Sequence, residues 1–343
     1  MSTRTILAFG LSLVATATVM PATAGEHAVS LLTFSSATGF GPGAGIITDR
    51  HGNLFGTTII GGTGPCSGGA GCGTVYELSP PSSKGGSWIF SKLHDFQGPG
   101  DGESPFAPLT KDRAGALYGY AYGSPGTIFQ VAPPKHSGGT WTYSVIYAFT
   151  GGADGDLLNV SAPLVAVHGA LYGVASGGEK ACGQAGCGSV FRLKSAGDVW
   201  REETLYAFTG GADGGEPNWI TGPDSSGGFY VSTSMGNGAV VRVAPHRGKT
   251  WGASVITEFK TGGRILQPTN VILAPDGTIY GIASDNHGGI AFQLTPPEGP
   301  GALSTAKRLA LTRSGTSCAV TSMSWTLAAT VPTGDCQISK SLS

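Results

Sequence analysis

The feature that most constrains this chain is that it repeats itself. The motif [LI]-x-x-F occurs five times, ending at Phe34, Phe96, Phe149, Phe208 and Phe259, with spacings of 62, 53, 59 and 51 residues. A second register gives Leu54-Phe55-Gly56, Leu117-Tyr118-Gly119, Leu171-Tyr172-Gly173, Phe229-Tyr230-Val231 and Ile279-Tyr280-Gly281. A third, G-x-x-W, places Trp88, Trp141, Trp200 and Trp251. Three registers that advance together describe one unit of about 50 to 60 residues, and a chain of such units folds as an array of like modules.

Within a unit the pattern is that of short strands parted by turns. Residues 107–111, 116–122, 126–132 and 141–149 alternate or cluster apolar side chains, and Asp112-Arg113-Ala114-Gly115 and Pro133 to Gly139 break them. The 58 Gly and 21 Pro disfavour helix interiors throughout. Four strands with short links make an antiparallel meander, and repeated meanders bury both faces as propeller blades. The expected fold is therefore all-β, a β-propeller of five four-stranded blades over residues 25–297. The last unit supplies strands near 270–274, 278–284 and 289–295 but no evident fourth. The expectation is that Val29–Phe34 closes the last blade, with Leu303–Thr312 as the rival strand, and that 298–343 form a disulfide-tied C-terminal segment.

Residues 1–24 read as a signal peptide: Arg4, an apolar run from Ile6 to Met20, then Ala22-Thr23-Ala24. Export would leave a secreted or periplasmic chain with no later apolar stretch long enough to span a membrane. The six cysteines fall into near neighbours, and an oxidising compartment favours the pairs Cys66/Cys72, Cys182/Cys187 and Cys318/Cys336. A four-sulfur zinc site is the alternative for two of the pairs, although neither spacing is the usual C-x2-C. A formal charge of −1 gives no basic footprint for nucleic acid.

The units resemble the GloVer tandem repeats (Gloeobacter/Verrucomicrobia type) of exported bacterial proteins. The resemblance rests on Leu171-Tyr172-Gly173-Val174, on Gly186-Cys187-Gly188-Ser189-Val190-Phe191, and on Leu205-Tyr206-Ala207-Phe208-Thr209-Gly210-Gly211-Ala212-Asp213-Gly214. It implies an exported repeat protein and carries no reaction with it. The G-x-[ST]-W pieces also resemble half of the turn motif of sialidase-like propellers, but Ser83, His136 and His246 stand where its Asp would be, so they imply packing at blade edges and no sialidase chemistry.

No nucleophile elbow, zinc-protease helix or phosphate loop is present. Asp49, Asp112, Asp224 and Asp276 open the first hairpin of their units, where an Asp side chain caps its own turn. The Gly-Asp loops between units carry Asp101, Glu103, Asp154, Asp156, Asp213 and Glu216, the residues expected to contact a ligand. No cofactor is predicted, and calcium is the one cation such oxygen-rich loops would suit. The function expected is a binding module for carbohydrate or another extracellular ligand. The alternatives are a structural or interaction scaffold and a propeller glycosidase or lyase with carboxylates near the axis.

Overall fold

The computed structural model describes residues 30–295 apart from short internal gaps, and four short strands between 305 and 330. The chain divides into two units, Met1–Thr33 and Phe34–Ser343. The second unit is an all-β, five-bladed propeller of antiparallel meanders. Calling the strands of each blade a to d, blade 1 is Ile47–Thr48, Leu54–Ile60, Thr74–Ser79 and Ile89–Asp95, with Phe40–Pro42 added on the far end of its b strand. Blade 2 is Thr110–Lys111, Leu117–Ala121, Thr127–Ala132 and Thr142–Ala148. Blade 3 is Val165–Val167, Ala170–Ala175, Ser189–Ala196 and Val199–Ala207. Blade 4 is Pro217–Thr221, Phe229–Thr233, Ala239–Pro245 and Trp251–Glu258. Blade 5 is Gln267–Leu273, Ile279–Asp285, Gly288–Thr295 and Thr305–Leu309.

One expectation is corrected here. The fourth strand of blade 5 is Thr305–Leu309, paired Thr295↔Thr305 through Ala291↔Leu309. Val29 lies outside the described residues, residues 30–34 form no strand, and Phe34 packs edge-on against Tyr76 of blade 1 with ring centroids 5.3 Å apart. The physical reason is loop closure: a neighbouring segment reaches the edge of strand c at less entropic cost than one at the other end of the chain. Cys318 lies in a separate small sheet of Thr312–Ser314, Ser317–Ala319 and Ala328–Thr330, while Cys336 and the signal segment fall outside the described residues.

The repeated motifs have distinct jobs. Strands b and c are buried on both faces, so their apolar residues run together rather than alternate. The Gly after the aromatic of strand b faces a ring on strand c: Gly56↔Tyr76, Gly119↔Phe129, Gly173↔Phe191 and Gly281↔Phe292. A Cβ on Gly119 would lie 2.5 Å from Phe129 Cζ, so the ring occupies the missing side chain's space. Blade 4 solves the same problem differently, pairing Val231 with Val241. The Phe of [LI]-x-x-F ends strand d, and its N–H donates to a glycine carbonyl closing the b–c loop of its own blade. These bonds are Phe96 to Gly73 at 3.1 Å, Phe149 to Gly126 and Phe208 to Gly188 at 3.0 Å, and Phe259 to Gly238 at 2.9 Å. All four rings are buried, and the apolar clusters they join run across blades 1 and 2, blades 2 to 4, and blades 4 and 5.

Candidate functional site

A meander places its b–c and d-to-a loops at one end and its a–b and c–d links at the other, so the propeller has two chemically different faces. On the first face two disulfides form as expected, Cys66–Cys72 and Cys182–Cys187, each within the b–c loop of its blade. Their sulfurs are thereby unavailable as zinc thiolates. Each disulfide also fixes the entry to the following blade. Ser104 N–H donates to Cys72 O at 2.7 Å and Glu216 N–H to Cys187 O at 2.8 Å, and both donors adopt left-handed backbone, φ 45° and 48°.

The Gly-Asp loops beside them are built around their own aspartates. Asp154 accepts from Tyr147 Oη at 2.9 Å, Thr150 N at 2.8 Å and Thr150 Oγ1 at 2.5 Å. Asp213 repeats this with Tyr206 Oη at 2.8 Å, Thr209 N at 2.9 Å and Thr209 Oγ1 at 2.5 Å. Burial opposes the charge, yet these donors together hold both carboxyl groups below the usual range. The reciprocal effect appears on the phenols: burial, then the neighbouring carboxylate, pushes Tyr206 up to about 12. In blade 1 the staple is His94 Nε2 to Asp101 Oδ2 at 3.0 Å, with Gln97 N at 2.8 Å on the same oxygen. Burial holds the His94 pKa below its ordinary value despite Asp101, and its ring stacks on Tyr143 of blade 2.

Of the six expected ligand contacts, Asp101, Asp154 and Asp213 thus spend their carboxylates on closing loops. Glu103, Asp156 and Glu216 follow them and run along the end of the next b strand. Glu103 N–H donates to Tyr122 O and Asp156 N–H to Ser176 O, both at 2.8 Å, and Ser234 Oγ lies 3.3 Å from Glu216 Oε2. The six therefore divide into three loop staples and three half-buried carboxylates on successive blades.

The opposite face holds a feature absent from the sequence expectations. Its a–b turns are capped as anticipated: Asp49 Oδ1 accepts from His51 N and Asn53 N, Asp112 Oδ1 from Ala116 N, and Asp224 Oδ1 from Ser226 N and Gly228 N. In blade 4 the same Asp224 also receives Arg242 Nε at 2.6 Å, and this pairing brings its pKa down to about 2 against the effect of burial. Between blades 4 and 5 lies a cleft of about 710 Å³. Thr221, Asp224, Ser226, Tyr230, Arg242 and Asp276 supply its polar lining, and Ile256, Leu273, Ile279 and Leu294 its apolar lining. Arg242 and Asp224 neutralise one another at its edge, so the cleft offers hydrogen-bonding groups of both kinds with no net charge from that pair.

Comparison with known proteins bears on the fold alone. No protein-family model matches the chain, and no curated protein does. Among solved structures, the periplasmic gluconolactonase PpgL of Pseudomonas aeruginosa is similar, with a TM-score of 0.51 at 15% identity, covering 88% of this chain and 84% of that one. A glucose dehydrogenase aligns with a TM-score of 0.42 at 13% identity, over 73% of this chain and 80% of that one. The two disulfides fit an extracellular or periplasmic setting, and among the described residues no helix is long and apolar enough to cross a membrane.

Proposed function

We propose that this chain is an exported binding module for carbohydrate, in keeping with its resemblance to GloVer-type repeats. The observation that carries the reading is the cleft between blades 4 and 5, where apolar walls meet a polar rim of hydroxyls, the Asp224–Arg242 pair and the Asp276 carboxylate. A sugar ring has the same two-sided character, with C–H faces and a hydroxyl edge, and sites of this kind take a few placed polar groups on a largely apolar surface. The leader sequence and the disulfides support export.

Five of the acidic side chains are committed to structure and not to catalysis. A glycosidase needs two carboxyl groups facing one substrate across a set gap. Here Asp49, Asp112 and Asp224 cap turns, and Asp154 and Asp213 close loops through both oxygens. The same commitments leave those loop oxygens already engaged by N–H and O–H donors, which a calcium ion would have to displace. The test is a polysaccharide and glycan binding screen with the exported protein, repeated with Tyr230→Ala and Arg242→Ala. Binding that these changes abolish, in variants that still unfold cooperatively, supports the reading. Binding lost in Glu103→Ala, Asp156→Ala or Glu216→Ala, and kept in the first two, places the ligand on the disulfide face instead.

A further inference from the structure

The cleft is where the repeat omits a residue. In the first three junctions, the Trp at the start of strand d of one blade packs on the strand-b aromatic of the blade before it. Trp141 meets Phe55 at 5.8 Å, Trp200 meets Tyr118 at 6.1 Å and Trp251 meets Tyr172 at 6.4 Å between ring centroids. Strand register sets Glu77 of strand c directly beside Phe55. Each seat is therefore an aromatic floor with a polar strand-c side chain at its rim, filled by an indole from the next blade.

Strand register identifies the equivalent position in blade 5. Ala132 pairs with Thr142 in blade 2 and Ala244 with Gly252 in blade 4, so Trp141 and Trp251 each precede the partner of that strand-c residue. In blade 5 the corresponding pair is Thr295↔Thr305, and the residue before Thr305 in the sequence is Ser304. The aromatic awaiting an indole at this junction is Tyr230, and its strand-c neighbour is Arg242. Both line the cleft.

We infer that the cleft is a vacated tryptophan seat, in which one ring of a saccharide replaces the indole against Tyr230 while its hydroxyl edge meets the Asp224–Arg242 pair and Asp276. This rests on the binding reading above for its ligand, but not for its shape. A residual space lined by groups that elsewhere hold an aromatic ring retains the complementarity for a ring. The choice of a saccharide over a second aromatic rests on the rim: Thr221, Ser226 and the Asp224–Arg242 pair offer several donors and acceptors, more than an indole with a single N–H can satisfy.

Free indole and the saccharide found in the screen, titrated into the full chain, test the seat and the ligand separately. Both should bind, indole should compete with the saccharide, and Tyr230→Ala should weaken each at least tenfold. Ser304→Trp should abolish both and raise the melting temperature, because the chain then fills its own seat. Saccharide binding that neither change disturbs overturns the seat and leaves the binding module with a different face. Indole binding without any saccharide upholds the seat and overturns the carbohydrate reading. Indole that binds only after Trp219→Ala or Trp325→Ala overturns the inference, since one of the two indoles outside the G-x-x-W motifs would then be the occupant.

Discussion

The junction between blades 3 and 4 and the junction between blades 4 and 5 are made from the same segments and end differently. Both bond the Phe of strand d to a glycine carbonyl, and both press a proline, Pro217 or Pro268, against that glycine. At the first, Trp251 covers Tyr172, a disulfide braces the b–c loop, and the buried side chains belong to one cluster running through blades 2 to 4. At the second there is no disulfide, Tyr230 faces a cleft, and a smaller cluster stands on its own. Backbone bonds and a small apolar cluster therefore hold neighbouring blades together without the indole, and the aromatic clasp is a separable layer whose omission converts packing area into binding area.

The largest effect that would sharpen this contrast is on the buried Phe pair. Phe208→Ala should cost about 3–5 kcal/mol in denaturant unfolding, and Phe259→Ala less, because a loosely packed site collapses more easily around a cavity. Equal losses would show the open junction to be packed as firmly as the closed one. Replacing Cys182 and Cys187 by Ser should remove about 2 kcal/mol, as expected for a short closed loop. The same assay on Cys66→Ser/Cys72→Ser should give a similar loss, and no loss at either would make the braces irrelevant to blade entry.

Blade 4 permits an exchange test. Val241→Phe alone should overpack against Val231 and cost about 1–3 kcal/mol, whereas adding Val231→Gly restores the Gly–ring pairing of the other blades and should recover most of it. Additive losses in the double-mutant cycle would refute that account. The smallest effect concerns acid. Asp224 has a lowered folded pKa of about 2, so its contribution is present above the unfolded value near 3.8 and is lost as pH falls toward 2. Solvent screening limits it to about 1 kcal/mol, and Asp224→Asn should flatten the acid limb of the stability profile by that amount. His94 acts higher on the scale: its lowered pKa means the unfolded chain takes up a proton first, so stability should decline as pH drops below about 6.5.

Blade number, strand order and the two described disulfides were legible because each rests on local pattern. The fourth strand of blade 5 was not, since Thr305–Leu309 lacks the [LI]-x-x-F signature and is recruited by an open sheet edge rather than by its own sequence. At the candidate site, acidic residues in glycine-rich loops read as free ligands, yet Asp154 and Asp213 are consumed by a Thr and a Tyr of their own loops. The signal for the cleft was a missing one: four G-x-x-W motifs in five units. Its meaning emerges only when the ring contacts show that Trp141, Trp200 and Trp251 each cover the neighbouring blade's aromatic and not their own.

The pairing of Thr305–Leu309 with the strand just before it has a consequence for how the molecule is made. Every blade is a single uninterrupted stretch of chain. No sheet waits for a segment from the other terminus, so each can be completed in the order in which it leaves the ribosome or a translocation pore, with the preceding blade as its template. Contact order stays low for an all-β protein of this length, and a polypeptide halted between units would present finished blades with one exposed flank instead of a half-built barrel.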